Sequence, residues 1–240
     1  MHEGGHGIYA QGIDEALLKT PLGSSPSLGI DESQSRLMEN IIGRSMSFWK
    51  YYYPKLQEIF PKQLKDVSLD DFYKLINHVE PSFIRTEADE VTYNLHAILR
   101  YEIEKDLIKG KLEVKDLPTV WNEKMQSYFG ITPKNDADGV LQDGHWSSGL
   151  IGYFPTYNLG NIYAAQIYAT AKKQIPNLEK EIEKGNMKPL TEWLREKIYK
   201  HGRLLTTEEI IKQVTGEPLN AKYLVEYIKE KYSKIYGIEL

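Results

Sequence analysis

The chain has 240 residues, 41% of them hydrophobic and 27% charged, with a formal net charge of −4 and no cysteine. That is an ordinary globular composition, large enough for one domain with a sizeable core, and its mild negative charge argues against nucleic acid or an anionic membrane surface as a partner. Without cysteine, disulfides and thiolate metal sites are both excluded, which leaves histidine and carboxylate side chains as the ligands for any metal.

Residues 2–6 read His-Glu-Gly-Gly-His, and Ile8, Tyr9 and the Ala10-Gln11-Gly12 stretch continue an apolar-periodic segment, so a helix is expected from residue 2 to Gly12. On a helix the i,i+4 spacing stacks His2 and His6 on one face a single turn apart, with Glu3 beside them. This is the H-E-x-x-H arrangement, in which two imidazoles hold one metal and the glutamate serves as general base. A catalytic zinc takes three protein ligands and keeps a fourth position open for water, so one more ligand has to come from elsewhere. Residues 23–29 are loop by composition, and a second helix is expected to begin near residue 31, with Leu37, Ile41, Ile42, Met46, Phe48 and Trp49 as its apolar positions. Glu32, at the start of that helix, can complete a His-His-Glu set; its plainer reading is a carboxylate favoured at a helix N-terminus.

Further along, residues 33–59 read as one long segment with an interruption expected at Pro54, and Ser68-Leu-Asp-Asp71 opens another helix. Thr86 to Ile108 is apolar-periodic at Val91, Leu95, Ile98, Leu99 and Ile103 and stops at Gly110. Asp116-Leu117-Pro118 starts a helix that carries Val120, Trp121, Met125 and Phe129 on one face and ends at Gly130. The stretch 132–144 is loop-rich and delivers His145. Helices are then expected over 159–171, 189–199 and 221–235, with a capping box at Thr206-Thr-Glu-Glu209. With no repeat and no linker, the expectation is a single helical domain over 1–240, all-α, with room for one very short β pairing near 148–157. His78, His96 and His201 lack partners at ligand spacing and read as surface or structural histidines. The Lys/Glu mixture over 179–200 reads as a solvated helix face. No apolar stretch approaches the roughly 20 residues of a membrane-spanning helix, and no secretory signal is apparent, so a cytoplasmic location is expected. Absent cysteine and abundant Lys, Glu, Ile and Tyr lean toward a thermophilic source.

His-Glu-Gly-Gly-His at 2–6, Glu-Ser-Gln-Ser-Arg at 32–36, Ile-Arg-Thr-Glu-Ala-Asp-Glu at 84–90, Gly-Val-Leu-Gln-Asp-Gly-His-Trp at 139–146 and Gly-Tyr-Phe-Pro-Thr-Tyr-Asn-Leu-Gly-Asn at 152–161 resemble, in that order, the M32 family of thermostable metallocarboxypeptidases. The resemblance implies an almost wholly helical zinc-peptidase fold, a homodimer, zinc (with cobalt as the alternative ion), and removal of single amino acids from peptides with a free C-terminus. It further implies His2, His6 and Glu32 as metal ligands and Glu3 as the base that activates the metal-bound water. Arg85 would grip the substrate's terminal carboxylate, as suits a planar two-pronged donor; its plainer reading is an ion pair with Glu87, Asp89 or Glu90. His145 and Tyr157 stand where such peptidases offer donors to the oxyanion, and Tyr153 is an equal candidate phenol. Asp143 reads either as an acceptor for an imidazole's second N–H or as a turn residue.

Two departures accompany the resemblance. Asp31 stands where the family usually has histidine before the ligand glutamate, which bears on the surroundings of the site. The family's chains are also longer, and this one begins at the metal motif. The expectation is therefore a zinc-dependent carboxypeptidase or its catalytic half, with, as the alternative, a catalytically silent helical domain or a subunit that acts only when a separate N-terminal polypeptide docks on its exposed apolar face.

Overall fold

The computed structural model describes residues 1–239, and wherever apolar periodicity and a capping residue coincide the chain forms an α-helix; no strand occurs among the described residues. The fold is all-α, as expected. The chain, read above as one helical domain, divides into two compact units: Met1–Ile76 with Leu159–Leu240, and Asn77–Asn158. No helix among the described residues is long and apolar enough to cross a membrane.

The first unit opens with α1 (His2–Gly12), α2 (Leu28–Arg36), α3 (Met46–Ile59), α4 (Pro61–Leu64) and α5 (Leu69–Ile76). Helix α2 starts ahead of the position expected near residue 31. Ser27 is extended, at φ −153°, and its hydroxyl accepts the Ile30 N–H at 3.3 Å, satisfying a donor that the first turn leaves unpaired. The long segment expected over 33–59 is broken at Gly43–Ser45 rather than at Pro54. After Arg36 the backbone widens into a π-helical turn over Leu37–Ile42, the Gly43 N–H bonds the Met38 carbonyl at 3.0 Å, and Ser45 caps α3. Pro54 lies inside α3 and is exposed, so the carbonyl it deprives of a donor can turn to water.

The unit closes with α8 (Pro155–Gln174), α9 (Leu178–Ile182), α10 (Lys188–Lys197), α11 (Thr207–Thr215) and α12 (Lys222–Tyr236); the first four residues of α8 are counted with the second unit. Its core draws on Ile30, Leu37 and Ile42, on Ile167 and Ala171, and on Leu190, Leu194, Ile198, Ile210 and Ile211. The capping box expected at Thr206 is present in full: its hydroxyl accepts the Glu209 N–H, and the Glu209 carboxylate accepts the Thr206 N–H.

The second unit is built on α6 (Thr92–Ile108) and α7 (Leu117–Phe129), which share a core of Leu99, Ile103, Trp121, Met125, Phe129 and Val140. Helix α6 begins at Thr92, later than the Thr86 start its apolar pattern suggested. Asp89 accepts the N–H groups of Val91 and Thr92, each at 2.9 Å, and so fixes the helix start, while Arg85–Glu87 form an isolated 3₁₀ turn. The short β pairing expected near 148–157 does not form. Gly149 and Gly152 take left-handed backbone angles (φ 75° and 82°), the Leu150 N–H turns back to the His145 carbonyl at 2.9 Å, and α8 begins at Pro155.

Candidate metal centre

Close packing of α1 on α2 sets the geometry of the His-Glu-Gly-Gly-His motif. A Cβ on Gly5 would strike the Gln34 carbonyl oxygen and lie 2.6 Å from the Ser35 Cα, so this one position requires glycine; Gly4 has nothing within 4 Å. With the backbones this close, His2 and His6 both face Glu32. His2 Nε2 lies 3.8 Å from Glu32 Oε1, His6 Nε2 lies 3.6 Å from Glu32 Oε2, and one donor atom from each of the three falls within 4.8 Å of the others. Gly160 of α8 meets Glu32 from behind, where a Cβ would come within 2.7 Å of its Cγ.

Each imidazole is aimed by a carboxylate on its other nitrogen. Nδ1 of His2 bonds Glu39 Oε2 at 2.7 Å, and Nδ1 of His6 bonds Asp31 Oδ1 at 2.7 Å. With the proton on Nδ1 donated to these acceptors, the Nε2 lone pairs are left toward Glu32, which is the orientation a metal ligand requires. Asp31, the departure from the family's usual histidine, is thus a support for His6, and its Oδ2 is itself held by the Ser25 hydroxyl at 2.8 Å.

The Glu39 hydrogen bond raises the His2 pKa above its ordinary value, against the effect of burial and with help from the charge of Glu32. Burial pushes Glu39 up, but its bond to His2 and the Arg36 charge prevail and hold it below the usual carboxylate range. A metal ion here therefore competes with a proton on His2. Two imidazoles and one buried carboxylate, already oriented and within 4.8 Å of one another, fit a divalent ion of borderline softness. Glu3 is exposed beside His2, and among the described residues it makes no hydrogen bond or ion pair.

Gly5→Ala is expected to force α1 off α2, destabilising the protein by about 1–3 kcal/mol and weakening metal binding in proportion, while Gly4→Ala does neither. Thermal melting and metal titration of the two variants check this; equal behaviour would rule out the close approach as the reason for the glycine.

The second unit gathers the remaining residues singled out in the sequence. Arg85 is 5% exposed; its Nε and Nη2 donate to Asp143 Oδ1 at 3.0 and 2.7 Å, and its Nη1 to the Tyr93 hydroxyl at 2.6 Å. Its ion partner is therefore none of Glu87, Asp89 or Glu90. Arg100, fully buried, donates from Nε to Asp143 Oδ2 at 2.7 Å and from Nη1 to the His96 carbonyl at 2.9 Å. Burial would raise the Asp143 pKa, but the two guanidinium groups lower it below the usual value.

Asp143 does not hold an imidazole: its Oδ1 stands 3.9 Å from His145 Nδ1, beyond hydrogen-bond reach. His145 Nε2 instead pairs with the Tyr157 hydroxyl at 3.0 Å, and the Tyr153 ring packs 5.3 Å from the imidazole. Burial, then the Arg85 charge, lowers the His145 pKa, so this imidazole is neutral near pH 7. The Arg85 guanidinium lies 4.7 Å from the centre of the Tyr157 ring.

Arg36, Glu39 and Arg100 carried no role in the sequence reading. For the first two a signal existed: Glu32, Arg36 and Glu39 are spaced i, i+4, i+7 and share one helix face. Arg100 shows no such local pattern.

His96 is buried against the Phe129 ring, 4.4 Å away, and burial, followed by the charges of Arg100 and Arg85, pushes its pKa down to about 3. The unfolded chain takes up this proton below its ordinary value of 6.5, whereas the folded protein does so only near 3. Stability from this group is thus present above pH 6.5 and is lost as pH falls toward 3, by roughly 2–3 kcal/mol between pH 7 and 4.5. Urea unfolding at those two pH values should show the loss in the wild type and a smaller one in His96→Leu; identical losses would refute the assignment.

Two imidazoles one turn apart on a helix and a carboxylate from the next helix, in an all-helical fold, form a donor set that could hold one metal ion. A family model described as Carboxypeptidase Taq (M32) metallopeptidase matches residues 1–232. The chain belongs to the M32 metallopeptidase family. It is 52% identical to Carboxypeptidase 1 of Bacillus subtilis over 236 residues, 98% of this chain and 47% of that protein. It is 46% identical to Thermostable carboxypeptidase 1 of Thermus thermophilus over 99% of this chain and 46% of that protein. The crystal structure of an M32 carboxypeptidase from Deinococcus radiodurans R1 aligns with a TM-score of 0.97 and 44% identity, over 99% of this chain and 48% of that one. The chain spans about half the length of the curated relatives it matches.

Proposed function

We propose that this chain is the metal-bearing half of a cytoplasmic, zinc-dependent carboxypeptidase that hydrolyses the C-terminal peptide bond of peptides. The observation that carries the reading is the convergence of His2 Nε2, His6 Nε2 and Glu32, with both Nδ1 atoms tied to carboxylates. Zinc held there, or cobalt on the same donors, would supply a Lewis acid and make water a nucleophile near neutral pH.

The residues divide the remaining work. Glu3, exposed beside His2, takes a proton from the attacking water and passes it to the leaving amine. His145 and Tyr157, bonded to each other, are the donors assigned to the oxyanion, with Tyr153 the alternative phenol. Arg85 is assigned the substrate's terminal carboxylate. Three of its N–H groups are engaged by Asp143 and Tyr93, so the carboxylate would be received by the others of its fork. A homodimer completes the reading.

A second reading is a helical domain that stays silent until a separate N-terminal polypeptide docks. Metal content after purification, with release of the last residue from an N-blocked dipeptide in the presence and absence of zinc or cobalt, separates the two. Stoichiometric metal and metal-dependent release are expected of the first. Protein that holds metal yet turns over only when a relative's N-terminal half is added would establish the second.

A further inference from the structure

One side chain of α2 touches both halves of the ligand arrangement. Arg36, 7% exposed, donates from Nε to Glu32 Oε1 at 2.9 Å and from Nη1 to Glu39 Oε2 at 3.2 Å, and that same Oε2 accepts His2 Nδ1 at 2.7 Å. A continuous path therefore runs from the ligand carboxylate through the guanidinium to the carboxylate that aims the first histidine. We propose that Arg36 is the positioning residue of the metal-ligand set: it ties one oxygen of Glu32, leaving Oε2 as the oxygen that faces His6, and it fixes Glu39 so that His2 points its Nε2 at Glu32. This rests on the metal-centre reading above and adds to it a residue outside the proposed ligand set.

The chemistry of arginine explains the choice. Its planar fork offers donors in fixed directions and can satisfy two carboxylates at once, whereas a lysine ammonium is a compact point charge on a flexible stem. Spacing supplies the rest: residues 32, 36 and 39 lie on one face, and Glu39 falls in the π-helical turn over Leu37–Ile42. The placement also creates a contradiction that an experiment can use. A positive charge beside a cation site weakens cation binding by simple Coulomb repulsion, so if charge were all that mattered, removing it would tighten binding. If Arg36 acts by positioning, removing it loosens binding despite that relief.

The test is zinc and cobalt affinity of the full chain, measured by competition with a chromophoric chelator, for wild type, Arg36→Lys, Arg36→Gln and Glu39→Gln. Melting of each metal-free protein is followed alongside. Loss of supports of this kind weakens metal binding by about 10–100-fold, and that loss is expected in Arg36→Lys, which keeps the charge, as well as in Arg36→Gln, which removes it. The visible spectrum of bound cobalt should change in both, since ligand geometry changes. Should either arginine variant melt too early to titrate, Glu39→Gln breaks the same path from its other end and is expected to weaken binding in the same way. Tighter binding by Arg36→Gln, or wild-type affinity and cobalt spectrum in Arg36→Lys, would overturn the proposal while leaving the metal centre intact. Wild-type protein that binds neither ion would overturn the metal-centre reading and this proposal with it.

Discussion

Glu3→Gln should lower hydrolysis of an N-blocked dipeptide by about 10²–10⁴-fold, the usual weight of a general base, while leaving metal content unchanged. The amide keeps the size of the side chain and loses only the ability to accept and return a proton. Glu3 is exposed and makes no hydrogen bond or ion pair among the described residues, so neither stability nor the His2–Glu39 and His6–Asp31 pairs should respond. Measuring kcat/KM together with metal stoichiometry, in the form of the protein that turns over, decides the matter. Retained turnover would remove Glu3 from the mechanism, and lost metal would give it a ligand role instead.

Asp143→Ala should cost about 3–5 kcal/mol of stability, the typical penalty for removing one partner from buried ion pairs. Asp143 accepts from Arg85 on one oxygen and Arg100 on the other, and both guanidinium groups are buried. Burial already pushes Arg100 down to about 10 with the carboxylate in place, which shows how heavily desolvation weighs on it. Asp143→Asn, which keeps an acceptor and loses the charge, should fall between wild type and alanine. The folded Asp143 pKa lies below its ordinary 3.8, so its stabilisation is present above that value and is lost as pH falls through the folded pKa. Urea unfolding at neutral pH tests the ranking; an Asp143→Ala protein with roughly wild-type stability would show that the arginines find other partners.

The clustering of His2, His6 and Glu32 was legible in sequence because its geometry is local: a spacing of four residues on a helix guarantees a shared face, and the motif order supplied Glu32. Their supports were not. His-Glu-Gly-Gly-His does not reveal which of its two glycines is indispensable, because only the approach of α2 distinguishes Gly5 from Gly4. The Arg85–Asp143 pair joins residues 58 apart in sequence, so acidic neighbours at 87, 89 and 90 were the nearer guess. Asp89 was engaged as a helix cap, which also moved the start of α6 away from where apolar periodicity alone would put it. Among the two phenols, Tyr157 bonds His145 because its position on the first turn of α8 directs it there, and Tyr153 precedes that helix.

All three candidate ligands and both orienting carboxylates lie between residues 2 and 39 of one unit. An ion shared by His2 and Glu32 would therefore act as a removable cross-link, closing a loop of about 30 residues in the manner of a disulfide and worth roughly 3–4 kcal/mol of unfolded-state entropy on the same accounting. In a chain without cysteine, loading would set durability as well as chemistry, and metal supply would govern how long the fold persists.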